Sequence, residues 1–153
     1  MTTLVKQIMQ EVLNSEVHLH TTNGYGSTNT KIRRWTTAIT NTGSDITYAD
    51  SATLGGTFTI NTNGIYAISY SDQFNAVGNH GISLNSSELT TPINHLITTT
   101  DALIQTTSAG SGYRVGVSIT LSLVATDVIR AHAAGETSGT NNSRARFQIL
   151  RIG

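Results

Sequence analysis

Residues 56–74, GTFTINTNGIYAISYSDQF, decide the fold class of this chain. Apolar side chains stand at every second position of this stretch: Phe58, Ile60, Tyr66, Ile68 and Tyr70. Because successive side chains of a strand point to opposite sides, the alternation predicts two strands, each with one packed face and one hydroxyl-rich face. Residues 61–64, NTNG, supply the turn between them.

Strand patterns interrupted by turn residues continue along the chain from Lys31. Strands are predicted at 31–40, 46–49, 56–60, 65–74, 81–84, 95–105, 113–124, 128–133 and 144–151. The intervals are rich in Asn, Asp, Ser and Gly, as is typical of turns between short strands. The sequence therefore predicts an all-β protein in which two antiparallel sheets pack as a jelly-roll sandwich.

The amino terminus contains the one helical candidate, residues 3–17, TLVKQIMQEVLNSEV. Its apolar side chains are Leu4, Val5, Ile8, Met9, Val12, Leu13 and Val17. A helix of this length is marginal alone in water, so it should order against its own sheet, a sister subunit or another protein. A turn-rich link precedes Lys31, and we expect a helical or extended arm over residues 1–29 and a jelly-roll domain over residues 30–153.

Composition argues against several classes of function. Only 12% of residues are charged and the formal net charge is +0, so generic binding to a nucleic-acid backbone is not expected. There is no cysteine, which excludes disulfides and thiolate metal sites. No apolar run approaches a membrane span, and no secretory signal is recognised. We expect neither nucleic acid nor a membrane as a partner.

Motifs for catalysis or metal binding are missing from the sequence. The five histidines lack the His-Glu-x-x-His spacing, and no Gly-x-Ser-x-Gly elbow occurs. His18 and His20 would share one strand face, either as a polar edge or as a ring around a metal or anion on a threefold axis. We expect no enzyme, no cofactor and no metal site.

Basic residues form two groups: Lys31, Arg33 and Arg34, and Arg144, Arg146 and Arg151. They would lie together if the first and last strands pair. Such a cluster would contact an acidic partner surface, or it would form solvated strand edges that resist aggregation.

Phe58, Gly64, Tyr66 and Ile68 resemble the F, G, Y and F series of the complement-type globular head, a jelly-roll relative of tumour necrosis factor. Further similar positions are residues 82–88 (ISLNSSE), Leu123, Asp127, Ile129 and residues 147–152. Thr126 stands where that family usually has glycine, and Gln148 or Ile149 replaces the glycine expected after Phe147. The resemblance spans roughly residues 31–152 and implies a jelly roll.

Residues 24–35 (GYGSTNTKIRRW) and 46–72 (ITYADSATLGGTFTINTNGIYAISYSD) resemble small structural proteins of tailed bacteriophages. This resemblance implies a trimeric jelly roll on a virion. The expected function is capsid decoration: a cement protein that is assembled in the host cytoplasm and binds the major capsid protein at the head surface. The apolar arm residues named above, from Leu4 to Val17, would anchor it between capsid subunits.

Four aromatic residues are candidates for the interface of the homotrimer: Tyr66, Tyr70, Tyr113 and Phe147. For each of them the alternative is the core of its own subunit. The alternative function is a receptor- or glycan-binding tip of a tail fibre or spike, with contacts from loops that carry Tyr25, Asn79, His80 and residues 135–142. A third class, an enzyme acting on cell-wall sugar, would need a carboxylate pair that the sequence does not identify.

Overall fold

The computed structural model describes residues 15–21, 26–74, 76–110, 113–134 and 145–153. Its strands are β1 (Glu16–Thr21), β2 (Thr37–Thr42), β3 (Ile46–Ala49), β4 (Thr57–Ile60), β5 (Gly64–Gln73), β6 (Gly78–Leu84), β7 (Ala102–Ser108), β8 (Arg114–Leu123), β9 (Val128–Ala134) and β10 (Ala145–Arg151). Two short 3-10 helices, Ile93–His95 and Thr99–Asp101, lie between β6 and β7. Within the described ranges, no helix has the length and apolar character needed to cross a membrane.

The strands form two antiparallel sheets of five. The front sheet has the order β2-β1-β10-β5-β8, and the back sheet has the order β3-β4-β9-β6-β7. The first and last strands pair along their whole length, from Glu16 opposite Leu150 to Thr21 opposite Ala145. The prediction of an all-β jelly-roll sandwich is confirmed.

Aromatic side chains from the facing surfaces of the two sheets fill the core. Phe58 of the back sheet and Phe147 of the front sheet stack with ring centroids 4.4 Å apart. Trp35 meets Tyr70 edge-on at 5.7 Å and Phe147 at 5.6 Å. Burial of each such side chain contributes about 1.5–3 kcal/mol. The alternation in residues 56–74 correctly identified core positions: Phe58, Ile60, Tyr66, Ile68 and Tyr70 are all buried.

The structure differs from the predicted arm at its carboxyl end. Residues 16–21 form β1, which lies between β10 and β2 in the front sheet, so the sandwich includes residues before the predicted boundary at 30. Val17 was expected in the partner anchor, but it is fully buried in the core. The reason is the period-two pattern of EVHLHT, which turns Val17 and Leu19 inward. The other anchor residues, Leu4, Val5, Ile8, Met9, Val12 and Leu13, lie outside the described residues.

Two predicted strands have different bounds. Instead of one strand over 31–40, residues 31–33 extend the back sheet beside β9, and β2 starts only at Thr37. The strand predicted at 95–105 begins at Ala102. The carboxylate of Glu88 accepts hydrogen bonds from the backbone N–H groups of Ile97 (3.2 Å) and Thr98 (3.1 Å). These contacts help to hold the segment before Ala102 in short turns, so it does not continue the strand.

Candidate interaction surface

The outer face of the front sheet, which points away from the core, is the candidate site. Side chains alternate along each strand, so the residues between the buried positions line this face. On β1, β5, β8 and β10 and just beyond β10 they are Glu16, His18, His20, Ile65, Ala67, Ser69, Ser71, Arg114, Gly116, Ser118, Thr120, Ser122, Arg146, Gln148, Leu150 and Ile152. Most of the β5 and β8 positions are small and carry hydroxyl groups.

Two shallow grooves cross this face. The first, of about 290 Å³, is lined by Ala67, Ile68, Ser69, Ser118, Ile119, Thr120, Gln148 and Leu150. The second, of about 360 Å³, is lined by His18, Ser69, Tyr70, Ser71, Gly116, Val117, Ser118, Arg146 and Gln148. They share Ser69, Ser118 and Gln148 and are therefore continuous. Their depth follows from the small residues of β5 and β8, where Gly116 pairs with Ser71.

Charged side chains on the outer face lie on β1 and β10, with Glu16 and Arg146, and at the start of β8, with Arg114. Glu16 Oε1 accepts a hydrogen bond from Gln148 Nε2 at 2.6 Å and lies 4.0 Å from His18 Nδ1. Burial lowers the pKa of His18 although Glu16 raises it, so the net effect favours the neutral ring. The β5 and β8 residues of the neighbouring grooves carry hydroxyl groups or are small or apolar, and Arg146 borders the second groove. Such a surface suits contact with another protein better than binding of a polyanion.

The corner of this face where the chain enters β1 is fixed by the carboxylate of Asp45. Ser15 Oγ donates to Asp45 Oδ2 at 2.5 Å, and Arg151 Nη1 donates to the same oxygen at 3.1 Å. Burial raises the pKa of Asp45, but hydrogen bonds from Ser15, Thr62 and Arg151 outweigh it, and the net pKa lies below the usual value. Three side chains beside this point form what we call the apolar corner: Ile65, Leu150 and Ile152.

Three of the four residues predicted at the trimer interface belong to the subunit's own core. Tyr66, Tyr70 and Phe147 are each 0% exposed, because they occupy the inward positions of β5 and β10. For these three residues the alternative given above, the core of their own subunit, is therefore the one that the structure shows. Tyr113 is 59% exposed just before β8 and remains available to a partner.

The basic residues do not form the predicted joint patch, because three of them are paired with carboxylates in different places. Arg33 is buried against Asp72. Arg34 Nη2 lies 2.6 Å from Asp50 Oδ2, and Arg151 contacts Asp45. Arg144 lies outside the described residues.

His18 and His20 share the outer face of β1, as the alternation predicted. Within the described part of the chain, no group of three or more His, Cys, Asp or Glu side chains is placed to hold a metal ion. The alternative of a ring around a threefold axis involves other copies and stays a prediction.

The grooves themselves were not predicted, although the sequence contained a signal for them. The residues between the aromatic positions of β5 are Ala67, Ser69 and Ser71, and their small size is visible in the sequence. The contribution of β8 was not visible, because sequence alone does not show that β5 and β8 are neighbours.

Comparison with known proteins supports the fold. No family model and no curated protein matches the chain. The crystal structure of murine APRIL at pH 8.0 is similar with a TM-score of 0.65 and 10% sequence identity, and covers 91% of this chain and 99% of its own. The crystal structure of murine APRIL at pH 8.5 gives a TM-score of 0.62 and 13% identity over the same shares. The chain has a jelly-roll sandwich like that of tumour necrosis factor, and these comparisons do not support the more specific resemblance to bacteriophage proteins.

Proposed function

We propose that this protein is a non-enzymatic homotrimer that coats a larger protein shell, as a capsid decoration (cement) protein on the surface of a bacteriophage head. The observation that carries the proposal is the grooved outer face of the front sheet. A partner protein can cover the first groove, which no charged side chain of the described residues lines, without burying an unpaired charge, which would be costly.

The three copies contact one another through the second groove. Gly116 and Ser71 leave room there for a side chain from a neighbouring copy. Tyr113 lies three residues before Gly116 and is exposed, so its ring is suitably placed to enter the groove of the next subunit. Exposed aromatic side chains that fill pockets commonly contribute a large share of interface energy.

The trimer binds the major capsid protein through its amino-terminal segments. The apolar residues available for this contact are Leu4, Val5, Ile8, Met9, Val12 and Leu13; Val17 no longer belongs to the set, since it is in the core. Three segments on one body act together, so overall avidity would exceed that of a single segment by roughly 100- to 10,000-fold. We expect the working protein on the capsid surface, after assembly in the host cytoplasm.

The receptor- or glycan-binding tip of a tail fibre is the second candidate. Exposed Tyr113 favours it, because an aromatic ring can stack on a sugar. His80, however, was expected on a contact loop and instead is fully buried in β6. We therefore prefer the decoration protein.

Solution mass and binding to particles test the proposal together. Purified protein should have three times the mass of the 16.3-kDa chain and should saturate expanded capsids of the phage that encodes it. Removal of residues 1–14 should abolish capsid binding and leave the trimer intact. A monomeric mass would contradict the trimer, and binding to intact host cells instead of capsids would favour the tail-tip function.

A further inference from the structure

We propose that residues 86–98, which we call the strap, are released from the back sheet when His132 is protonated, so that acid exposes the apolar side chains that the strap buries at neutral pH. This inference concerns the back sheet and does not depend on the proposed function, which uses the front sheet and the amino-terminal segment.

The strap lies within the link between β6 and β7 and covers part of the outer face of the back sheet. Its 3-10 helix, Ile93–His95, packs on β6, β7 and β9, and its buried apolar side chains are Ile93 and Leu96. Ala131 of β9 points into the core, so the next side chain, His132, points outward to the strap.

Two hydrogen bonds join the first part of the strap to the back sheet. Lys31 N, beside β9, donates to Leu89 O at 2.7 Å, and Arg130 Nη1 of β9 donates to Ser86 O at 3.0 Å. The middle of the strap is joined to β9 through the His132 ring.

The His132 ring holds the strap only in its neutral form. Nε2 is in hydrogen-bond contact with Thr91 O, and because a carbonyl oxygen only accepts, Nε2 carries the proton of the neutral ring. Nδ1 is buried and has no hydrogen-bond partner among the described residues. Protonation of Nδ1 would place an unpaired N–H and a positive charge in this buried site, which is costly. Release of the strap lets water solvate both.

The charges beside His132 do not remove this cost. Burial lowers the pKa of His132, and Arg130 acts in the same direction; the hydrogen bond to Thr91 and the carboxylate of Glu88 raise it, but the net pKa is lowered. The open form therefore binds a proton more tightly than the closed form, and acid favours opening.

The other elements packed against His132 bring no further buried charge to it. Lys31 and His95 are exposed, and His80 of β6 points into the core against Tyr70. β6 instead places Ser83 on the outer face, where Ser83 Oγ is buried without a partner among the described residues. Water would pair this hydroxyl when the strap opens, so the closed strap is easier to release than a fully paired one.

Exchange of two backbone amides with solvent measures release of the strap apart from unfolding. The Lys31 amide donates to the strap, whereas the Arg33 amide donates to Ala131 O of β9. NMR of the full chain at pH 7 and pH 5 gives the protection of each amide, which is the exchange rate of an unstructured chain divided by the observed rate. We expect Lys31 to be less protected than Arg33 at both pH values. Its protection should fall up to about 25-fold between them, the factor for one histidine with a pKa near 6.5 in the open form.

Two histidine variants assign the pH dependence. His132→Gln keeps an amide that can donate to Thr91 O but does not titrate, so the protection of Lys31 should no longer fall with pH. His95→Gln removes the exposed histidine of the strap and should leave the fall unchanged. Three results would overturn the proposal: constant protection of Lys31 in the unmodified protein, equal protection of Lys31 and Arg33 at pH 5, or an unchanged fall in His132→Gln. The first two need no variant.

Discussion

Arg33 and Asp72 form a two-point ion pair inside the sandwich. Arg33 Nε donates to Asp72 Oδ2 at 2.6 Å, and Arg33 Nη2 donates to Asp72 Oδ1 at 3.0 Å. Each side chain is only 2% exposed. The Arg33 backbone N–H donates to Ala131 O of the back sheet, while Asp72 belongs to β5 of the front sheet. The pair therefore joins the two sheets across the core.

Removal of one partner of this pair should be strongly destabilising, because the other charge stays buried without compensation. We expect Asp72→Ala to lower the free energy of unfolding by about 3–5 kcal/mol. Asp50→Ala is the matched control: its partner Arg34 is near the surface, and such pairs contribute about 0–1 kcal/mol. Urea unfolding at pH 7 measures both variants. If the two variants lose similar amounts of unfolding free energy, the buried Arg33–Asp72 pair stabilises the fold no more than the surface pair does.

The sequence predicted the core but not its polar contacts. Period-two alternation is a local property, so it correctly identified Tyr66, Ile68 and Tyr70 as inward residues. The partner of Arg33 lies 39 positions away, and nothing local to either residue indicates the contact. Arg33 was consequently expected in a surface patch.

The same limitation explains the errors in site assignment. Alternation predicts which face a residue occupies, but it does not predict which face a partner subunit covers. Tyr66, Tyr70 and Phe147 were therefore expected at an interface, whereas the structure shows that they pack within the subunit. The grooves of the outer face depend on which strands are neighbours, and this is not a local property of the sequence.

Stability should depend on pH through His80. This residue is fully buried, with its ring centroid 4.8 Å from that of Tyr70 and 5.1 Å from that of Phe74. Burial lowers the pKa of His80 to about 4; Arg33 acts in the same direction, and Asp72 opposes it. In the unfolded chain a histidine has a pKa near 6.5, so between about pH 6.5 and pH 4 the unfolded state binds more protons. Stability should therefore fall as pH falls through this window.

His80→Phe tests this source of pH dependence. The difference in pKa corresponds to on the order of 3 kcal/mol at most. The variant should lose less stability than the unmodified protein when urea unfolding is compared at pH 7 and pH 4.5, whatever its stability at pH 7. Part of the fall should remain, because burial also lowers the pKa of His132. If the unfolding free energy falls by the same amount in both proteins, His80 is not a cause of the pH dependence.

Substitutions at Tyr113 and Phe147 should distinguish an effect on trimer association from an effect on folding stability. We expect Tyr113→Ser to reduce the trimeric fraction without lowering the unfolding free energy of the dissociated subunit, because its side chain is exposed. Phe147→Ala should instead cost about 3–5 kcal/mol of stability, since it removes the ring that stacks on Phe58. Analytical ultracentrifugation and urea unfolding of both variants measure the two effects. Loss of stability without dissociation in Tyr113→Ser would contradict the proposed contact.

A charge placed in the groove should also prevent association. Ser118 is exposed and lines both grooves, so Ser118→Arg would bury an unpaired guanidinium if a neighbouring copy covered this face. We expect dissociation to the 16.3-kDa subunit. Gln105→Arg introduces the same charge at an exposed position of β7 in the back sheet and should leave the trimer intact. Equal behaviour of the two variants would place the contact between copies elsewhere.

Thr126, which occupies the position of a glycine in the resembling family, has a backbone conformation that disfavours threonine. Its φ is +80°, and its N–H donates to Ile60 O at 2.8 Å, so the turn between β8 and β9 is held in place. Asp127 Oδ2 also accepts a hydrogen bond from Val124 N at 2.9 Å. A left-handed conformation costs a residue with a Cβ atom about 1–2 kcal/mol, and glycine avoids most of this cost.

We therefore expect Thr126→Gly to raise the free energy of unfolding by about 1 kcal/mol, after the greater freedom of glycine in the unfolded chain is subtracted. Ala125→Gly is the matched control, because Ala125 is exposed in the same turn without a positive φ, and it should lower stability by about 0.5–1 kcal/mol. Urea unfolding of the two variants gives opposite signs if the strain at Thr126 is real. A loss of stability in both would mean that the side chain of Thr126 contributes more than its backbone conformation costs.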